Sequence, residues 1–151
     1  SRITTATESG VRNWSITAVE PEDRDTAGAI LDLLIDYNAP HFGDRPPIHT
    51  VQLAARDPNG VLVGGLLGQV RVHWLHVDIL VAAPDYRKSG LGSELMAQAE
   101  RIAREHACAG IWLDTFEFQA PGFYEKLGFT RCGSIRNFWN GHDRHIYEKR
   151  L

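Results

Sequence analysis

A chain of 151 residues, 43% hydrophobic and 23% charged, has room for one domain with its own core and needs no disulfide or metal staple. Its formal net charge of -3 sets up no field that would draw nucleic acid or an anionic membrane surface. No apolar run reaches the length of a membrane span, and the first residues lack the basic-then-apolar order of a secretory signal.

The cysteines, Cys108 and Cys132, stand in neither CxxC nor zinc spacing. They read as small, partly buried thiols in a reducing, cytoplasmic setting. Residues 1–13 are polar and read as a loosely ordered N-terminal extension, with a single domain expected over 14–151.

The elements follow in chain order. "WSITAV" (14–19) reads as a strand. A helix follows, with Ile30, Leu31, Leu34 and Ile35 at helical spacing and Asp25 or Thr26 as its cap. "APHFGDRPP" (39–47) is a Pro/Gly-rich loop. A strand over 51–57, the turn "DPNG" and a return strand over 61–72 form a hairpin. The glycines of "GGLLG" (64–68) sit inside that return strand and read as bends or points of close approach.

The next strand, "WLHVDILVA" (74–82), is apolar apart from His76 and Asp78. Two residues apart, these share a face, with Val77, Ile79 and Val81 pointing to the other. A helix over 90–106, a strand over 110–118 and a short helix over 120–128 ended by Gly128 come next. "FTRCGSI" and "HDRHIYEKRL" close the chain as two strands. The order is β, α, β-β-β, α, β, α, β-β, which gives an α/β (α+β) class with a mixed sheet and helices packed on it.

The strand-to-helix turn Arg87-Lys88-Ser89-Gly90-Leu91-Gly92 is chemically the most telling stretch. A helix start exposes N–H groups and the positive end of the macrodipole. Glycines let backbone approach a ligand, and Arg87 and Lys88 add charge, so the turn suits a phosphate or pyrophosphate. It also reads as a plain connection. A P-loop fits poorly, because Lys88-Ser89 precedes the glycines.

Arg87 to Gly92 resembles the [R/Q]xxGx[G/A] signature of the GCN5-related N-acetyltransferase (GNAT) family. "APGFYEKLGF" (120–129) resembles a second family segment, and the element order is similar from about residue 14 onward. "WLHVDILV", "LDTFEFQAPGFYEKLGF" and "GHDRHIYEKRL" resemble a bacterial subgroup of mostly unassigned substrate.

The resemblance implies a mostly antiparallel sheet of about seven strands with helices on both faces. It implies acetyl-CoA as cosubstrate, with its pyrophosphate on Arg87, Lys88, Ser89, Gly90, Leu91, Gly92 and Ser93. Backbone groups of Leu80, Val81 and Ala82 would hold the pantetheine arm like an added strand. The N–H near Val81 would serve the oxyanion. Where many members carry an asparagine that touches pantetheine, this chain has Glu117, with Gln119 a weak substitute.

Transfer to an amine requires a group that takes the amine's proton, a donor for the oxyanion and stabilisation of the leaving thiolate. Tyr124 matches the family tyrosine near the sulfur; it also reads as a core residue beside Phe123 and Leu127. His76 falls where some members place a general base, and an imidazole suits that task. Asp78 would orient it, attract a cationic amine or act through water. The bland alternative is a satisfied structural pair.

Tyr37, Asn38, His41, Phe42 and Asp44 occupy the region that closes over the acceptor in the family, and Trp139, Asn140 and His142 border the last two strands. Asp78 and Glu117 would favour a cationic acceptor. The spacings His73/His76 and His142/His145 fall on strands, where residues three apart face opposite ways, so no metal is expected.

The expectation is direct acetyl transfer in a ternary complex to a small-molecule amine. A protein lysine or N-terminus is the alternative acceptor, and a non-catalytic acyl-CoA-binding module the alternative class. No nucleic-acid or membrane partner is expected, and a homodimer is compatible with the family pattern.

Overall fold

In the computed structural model, which describes residues 2–3, 13–44 and 47–151, the chain divides into two compact units, Ser1–Arg45 and Pro46–Leu151. Each is described by itself. Most of the expected N-terminal extension, and Arg45 and Pro46 of the expected loop, lie outside the described residues.

In the first unit, β1 (Arg2–Ile3) pairs antiparallel with β2 (Ile16–Thr17). The strand expected over 14–19 is thus two residues long. Helix α1 (Arg24–Phe42) starts one or two residues before the expected cap. Asp23 takes that position, its carboxylate accepting from Thr26 N at 2.9 Å and Thr26 Oγ at 2.7 Å. Those bonds hold the Asp23 carboxyl below the usual carboxylate range. The helix also runs past Pro40. A proline fixes a helical φ and forfeits one backbone bond, which the last turn tolerates. Gly43, at φ 74°, then stops it, donating its N–H to Ala39 O at 2.8 Å.

The second unit is built on a six-stranded sheet in the order β3-β4-β5-β6-β8-β7. Its strands are β3 (His49–Arg56), β4 (Leu62–Arg71), β5 (Trp74–Ala82), β6 (Gly110–Phe116), β7 (Thr130–Trp139) and β8 (His142–Arg150). All neighbours are antiparallel except β5 and β6, which run parallel. A parallel pair needs a crossover, and α2 (Leu91–Glu105) supplies it. A shorter helix, α3 (Phe123–Lys126), links β6 to β7. The expected element order holds; the count of about seven strands becomes six, because β2 pairs with β1 instead.

The β3–β4 hairpin closes on Asp57, whose carboxylate accepts from Asn59 N at 2.8 Å and Val61 N at 2.9 Å. The glycines of β4 are points of close approach: a Cβ on Gly65 would stand 2.8 Å from Leu53 O, and one on Gly68 2.5 Å from His76 O. The core lies between the sheet and α2, around the fully buried Leu66, Leu75, Ile111 and Leu113. Each such side chain contributes about 1.5–3 kcal/mol by leaving water. Leu95, Met96, Ala99 and Ala103 form the inward stripe of α2.

Cys108 is buried behind the end of α2, where desolvation pushes its thiol up. Cys132 is exposed on β7, against the expectation of partial burial, because β7 is an edge strand. Among the described residues no helix is long and apolar enough to cross a membrane.

Candidate active site

The site begins with an irregularity in β5. Between Val77 and Ile79 the pairing to β4 steps by two residues while β4 advances by one, from Gly68 to Leu67. Asp78 is the extra residue of a β-bulge. A bulge reverses the alternation beyond it. Leu75 and Val77 face the core, and after the bulge Leu80 packs there, leaving Ile79 and Val81 half exposed. This corrects the expectation that Val77, Ile79 and Val81 share a face.

At the same place β5 and β6 part. Their pairing runs from Trp74↔Gly110 to Val77↔Leu113 and stops. From Ile79 to Ala82, β5 keeps β4 on one side. Its other edge meets no strand among the described residues, so half of its N–H and C=O groups face the gap.

Beyond β5 a short 3₁₀ turn (Pro84–Tyr86) leads to α2. The Ser89 hydroxyl donates to Tyr86 O, and Arg87 Nε to Ala82 O at 3.4 Å. Lys88 at φ 59° and Gly90 at φ 90° turn the chain into the helix. Gly90 is the N-cap and brings no side chain, and nothing lies within 4 Å of where its Cβ would be. The first helical bond is Glu94 N to Gly90 O at 3.0 Å, so the N–H groups of Leu91, Gly92 and Ser93 point outward from the helix start. A Cβ on Gly92 would meet Phe123 Cζ at 3.2 Å, so the turn also packs against α3.

Tyr124 is buried on α3, among Phe123, Phe129 and Tyr147 with ring centroids 5.0, 5.8 and 5.6 Å away. Its hydroxyl has no hydrogen-bond partner among the described residues. Burial, with Tyr147 adding to it, pushes the phenol up to about 12.

On the sheet face turned away from α2, His76 lies between two carboxylates. Nδ1 is 2.9 Å from Asp78 Oδ1, and Nε2 is 3.3 Å from Asp114 Oδ1. The ring stacks on Trp112 at 3.9 Å. The other oxygen of Asp114 accepts from Arg144 Nε at 2.7 Å. Arg144 in turn lies over Phe116 at 4.9 Å and Phe138 at 5.2 Å. Burial alone would raise Asp114, but the bonds from Arg144 and His76 outweigh it and leave the carboxyl below its ordinary value.

The expected pair thus belongs to a four-residue chain across β5, β6 and β8. Asp114 and Arg144 were missed by sequence reasoning. Their signal was faint: Trp112, Asp114 and Phe116 alternate onto one face, but only the register His76↔Trp112 brings that face beside His76.

Glu117 lies after β6, 2.6 Å from His142 Nδ1, and Phe118 packs on the same imidazole at 4.6 Å. The bond from His142 holds the Glu117 carboxyl below its usual range, against a smaller desolvation effect. Gln119 closes the turn, its side-chain oxygen accepting from Phe116 N at 2.9 Å and Thr115 Oγ at 3.0 Å. Tyr37, Asn38, His41 and Phe42 lie on α1 in the first unit, which takes His41 and Phe42 out of the expected loop. Trp139 ends β7, and Asn140 and Gly141 form the hairpin turn before His142. His145 is engaged by Ser134 and Arg131, at 2.8 and 3.3 Å.

Residues 11–129 match the profile of the acetyltransferase (GNAT) family. A blasticidin-S acetyltransferase of Streptomyces morookaense is 42% identical over 106 residues, covering 70% of this chain and 78% of that protein. An acetyltransferase of Agrobacterium fabrum is 33% identical over 129 residues, covering 85% of this chain and 93% of that one. Among solved structures, an acetyltransferase from Bacillus cereus superposes with a TM-score of 0.79 at 35% identity, covering 89% of this chain and 98% of that one.

Proposed function

The chain belongs to the GNAT family of acetyltransferases, and from that premise we propose that it moves an acetyl group from acetyl-CoA to the amine of a small cationic molecule. The observation that carries the reading is the end of β5–β6 pairing at Val77/Leu113, just ahead of the glycine-capped start of α2. One end of that arrangement offers an open strand edge and the other a cluster of free N–H groups. Pantetheine has amides that match the first, and pyrophosphate matches the second. The open backbone of Leu80, Val81 and Ala82 takes the pantetheine arm; residues Arg87 to Ser93 take the phosphates.

The chemistry divides between the two faces of the sheet. The acceptor ammonium gives one proton to the Asp78–His76 pair. The freed amine attacks the thioester carbon, the oxyanion is met by the N–H near Val81, and the carbon–sulfur bond breaks. The second nitrogen proton ends on the sulfur, so amide, coenzyme A and one released proton balance the reaction. Tyr124 keeps its own proton. A phenol at about 12 does not surrender it to a thiolate whose acid has a pKa of about 8.5. It stabilises the leaving sulfur by donating a hydrogen bond. That role fits a hydroxyl with no hydrogen-bond partner among the described residues.

The acceptor class rests on charge and shape. Asp78 stands on the bulge at the mouth of the gap, with Trp112 beside it across the His76 ring. A carboxylate next to an aromatic face favours a cationic group. The Streptomyces morookaense relative is named for a small molecule, blasticidin S, which agrees.

The test is release of free thiol from acetyl-CoA with blasticidin S, other small cationic amines and a lysine peptide. Turnover is expected with a small amine. Turnover on the peptide alone moves the acceptor to protein. A thermal shift by acetyl-CoA without turnover on any amine leaves a non-catalytic binding module.

A further inference from the structure

The Asp78–His76 pair leaves open which atom handles the proton, and the residues behind it decide. A neutral imidazole has one N–H and one lone pair. Here each ring nitrogen faces a carboxylate, so the identity of the fixed proton follows from which carboxylate is the more firmly held acceptor.

Asp114 is that acceptor. Its Oδ2 takes the Arg144 Nε–H at 2.7 Å, and Arg144 is clasped between Phe116 and Phe138. An arginine stays protonated at any working pH. The side chains of Asp114 and Arg144 are 29% and 24% exposed, against 48% for Asp78. Asp114 is therefore the more firmly held acceptor, facing Nε2, and Asp78 is the more exposed member.

We propose that Asp114 and Arg144 are positioning residues that pin a proton on Nε2 of His76, so that Nδ1, facing Asp78, is the nitrogen that gains and loses the proton during acetyl transfer. This rests on the base role assigned above. One proton passes from the acceptor ammonium through the Asp78 carboxylate to Nδ1. Nε2 keeps its own throughout, and the proton returns to solvent by the same route after the product leaves. Trp112, stacked on the ring, holds its plane so that Nε2 stays directed at Asp114.

Among the described residues the charged groups around the ring are few. Asp78 comes from the same strand, Asp114 from β6 and Arg144 from β8 behind it. From β4 the register partner of His76 is Gln69, uncharged, and it accepts from Arg71 at 3.2 Å.

The test joins nitrogen-15 NMR of the imidazoles with pH–rate profiles. In the wild type the neutral form of His76 carries its proton on Nε2. Asp114→Ala loses that preference, and kcat falls about tenfold or more, within the range of general-base effects. The acetyl-CoA KM stays within about twofold. Asp114→Asn, whose amide oxygen still accepts, keeps the tautomer. In both variants the acid limb of kcat/KM moves to lower pH, because the anion that faces the ring is gone. Arg144→Gln moves it the other way.

A wild-type proton on Nδ1 overturns the proposal, as do Asp114→Ala and Arg144→Gln with unchanged tautomer and profile. If His76→Ala is inactive in those cases, the base assignment stands and only the pinning fails. An unchanged rate in His76→Ala overturns both.

Discussion

Gly68→Ala is expected to damage stability and catalysis together, because the added methyl meets backbone. Its Cβ would lie 2.5 Å from His76 O and 3.4 Å from Val77 Cα. Ordinary contact requires roughly another 0.5–1 Å, so β4 and β5 must separate at the residue next to the bulge. Overpacking of this kind costs about 1–3 kcal/mol. At about 2–4 °C per kcal/mol for a chain of this size, the midpoint drops by roughly 2–12 °C. The His76–Asp114 contact is already long at 3.3 Å, so a shift of that size breaks it and lowers kcat.

Thermal unfolding by circular dichroism gives the first number and thiol release the second. Gly28→Ala is the control: nothing lies within 4 Å of its Cβ, and a helix gains up to about 1 kcal/mol from the exchange. A Gly68→Ala protein with an unchanged midpoint and kcat would refute the reasoning from close approach.

Tyr124→Phe lowers the maximal rate about tenfold or more with little change in acetyl-CoA affinity; an unchanged rate removes the hydroxyl from the mechanism. The same residue governs alkaline stability. Its pKa in the folded protein is about 12 against an ordinary 10.0, so the stability it contributes is complete below pH 10 and is lost as pH rises through 12. That loss is on the order of 2–3 kcal/mol, and denaturant titrations at pH 9 and 11 should show it shrinking in Tyr124→Phe. Gly90→Val places a β-branched residue at φ 90° over the helix start, and calorimetry should show acetyl-CoA binding about tenfold weaker, with thiol release still measurable at saturating acetyl-CoA. The paired substitutions at Asp114 and Arg144 should move the acid limb of the rate profile in opposite directions.

Local signals in the sequence were enough for the skeleton. The turn DPNG marked the β3–β4 hairpin, the apolar run 74–82 marked β5, the turn at Gly90 marked the start of α2, and the glycines of β4 were legible as bends or close approaches. What failed was long-range or cooperative. A bulge at Asp78 leaves no composition signature, yet it turned Ile79 and Val81 outward. Asp114 is 38 residues from His76, and only a fixed register makes them neighbours. The cap of α1 moved to Asp23 because a cap must reach the N–H three residues on, and Thr26 presents it. Asn140-Gly141 carried a hairpin signal, with φ 49° and 81°, that would have extended β7 to Trp139.

The account turns on acetyl transfer from acetyl-CoA to a small cationic amine. The direct measurement is thiol release from acetyl-CoA over a panel of such amines, in the wild type and in Tyr124→Phe. The account predicts turnover on at least one small amine that falls about tenfold or more in the variant. Acetyl-CoA that neither binds nor is consumed with any amine would contradict it.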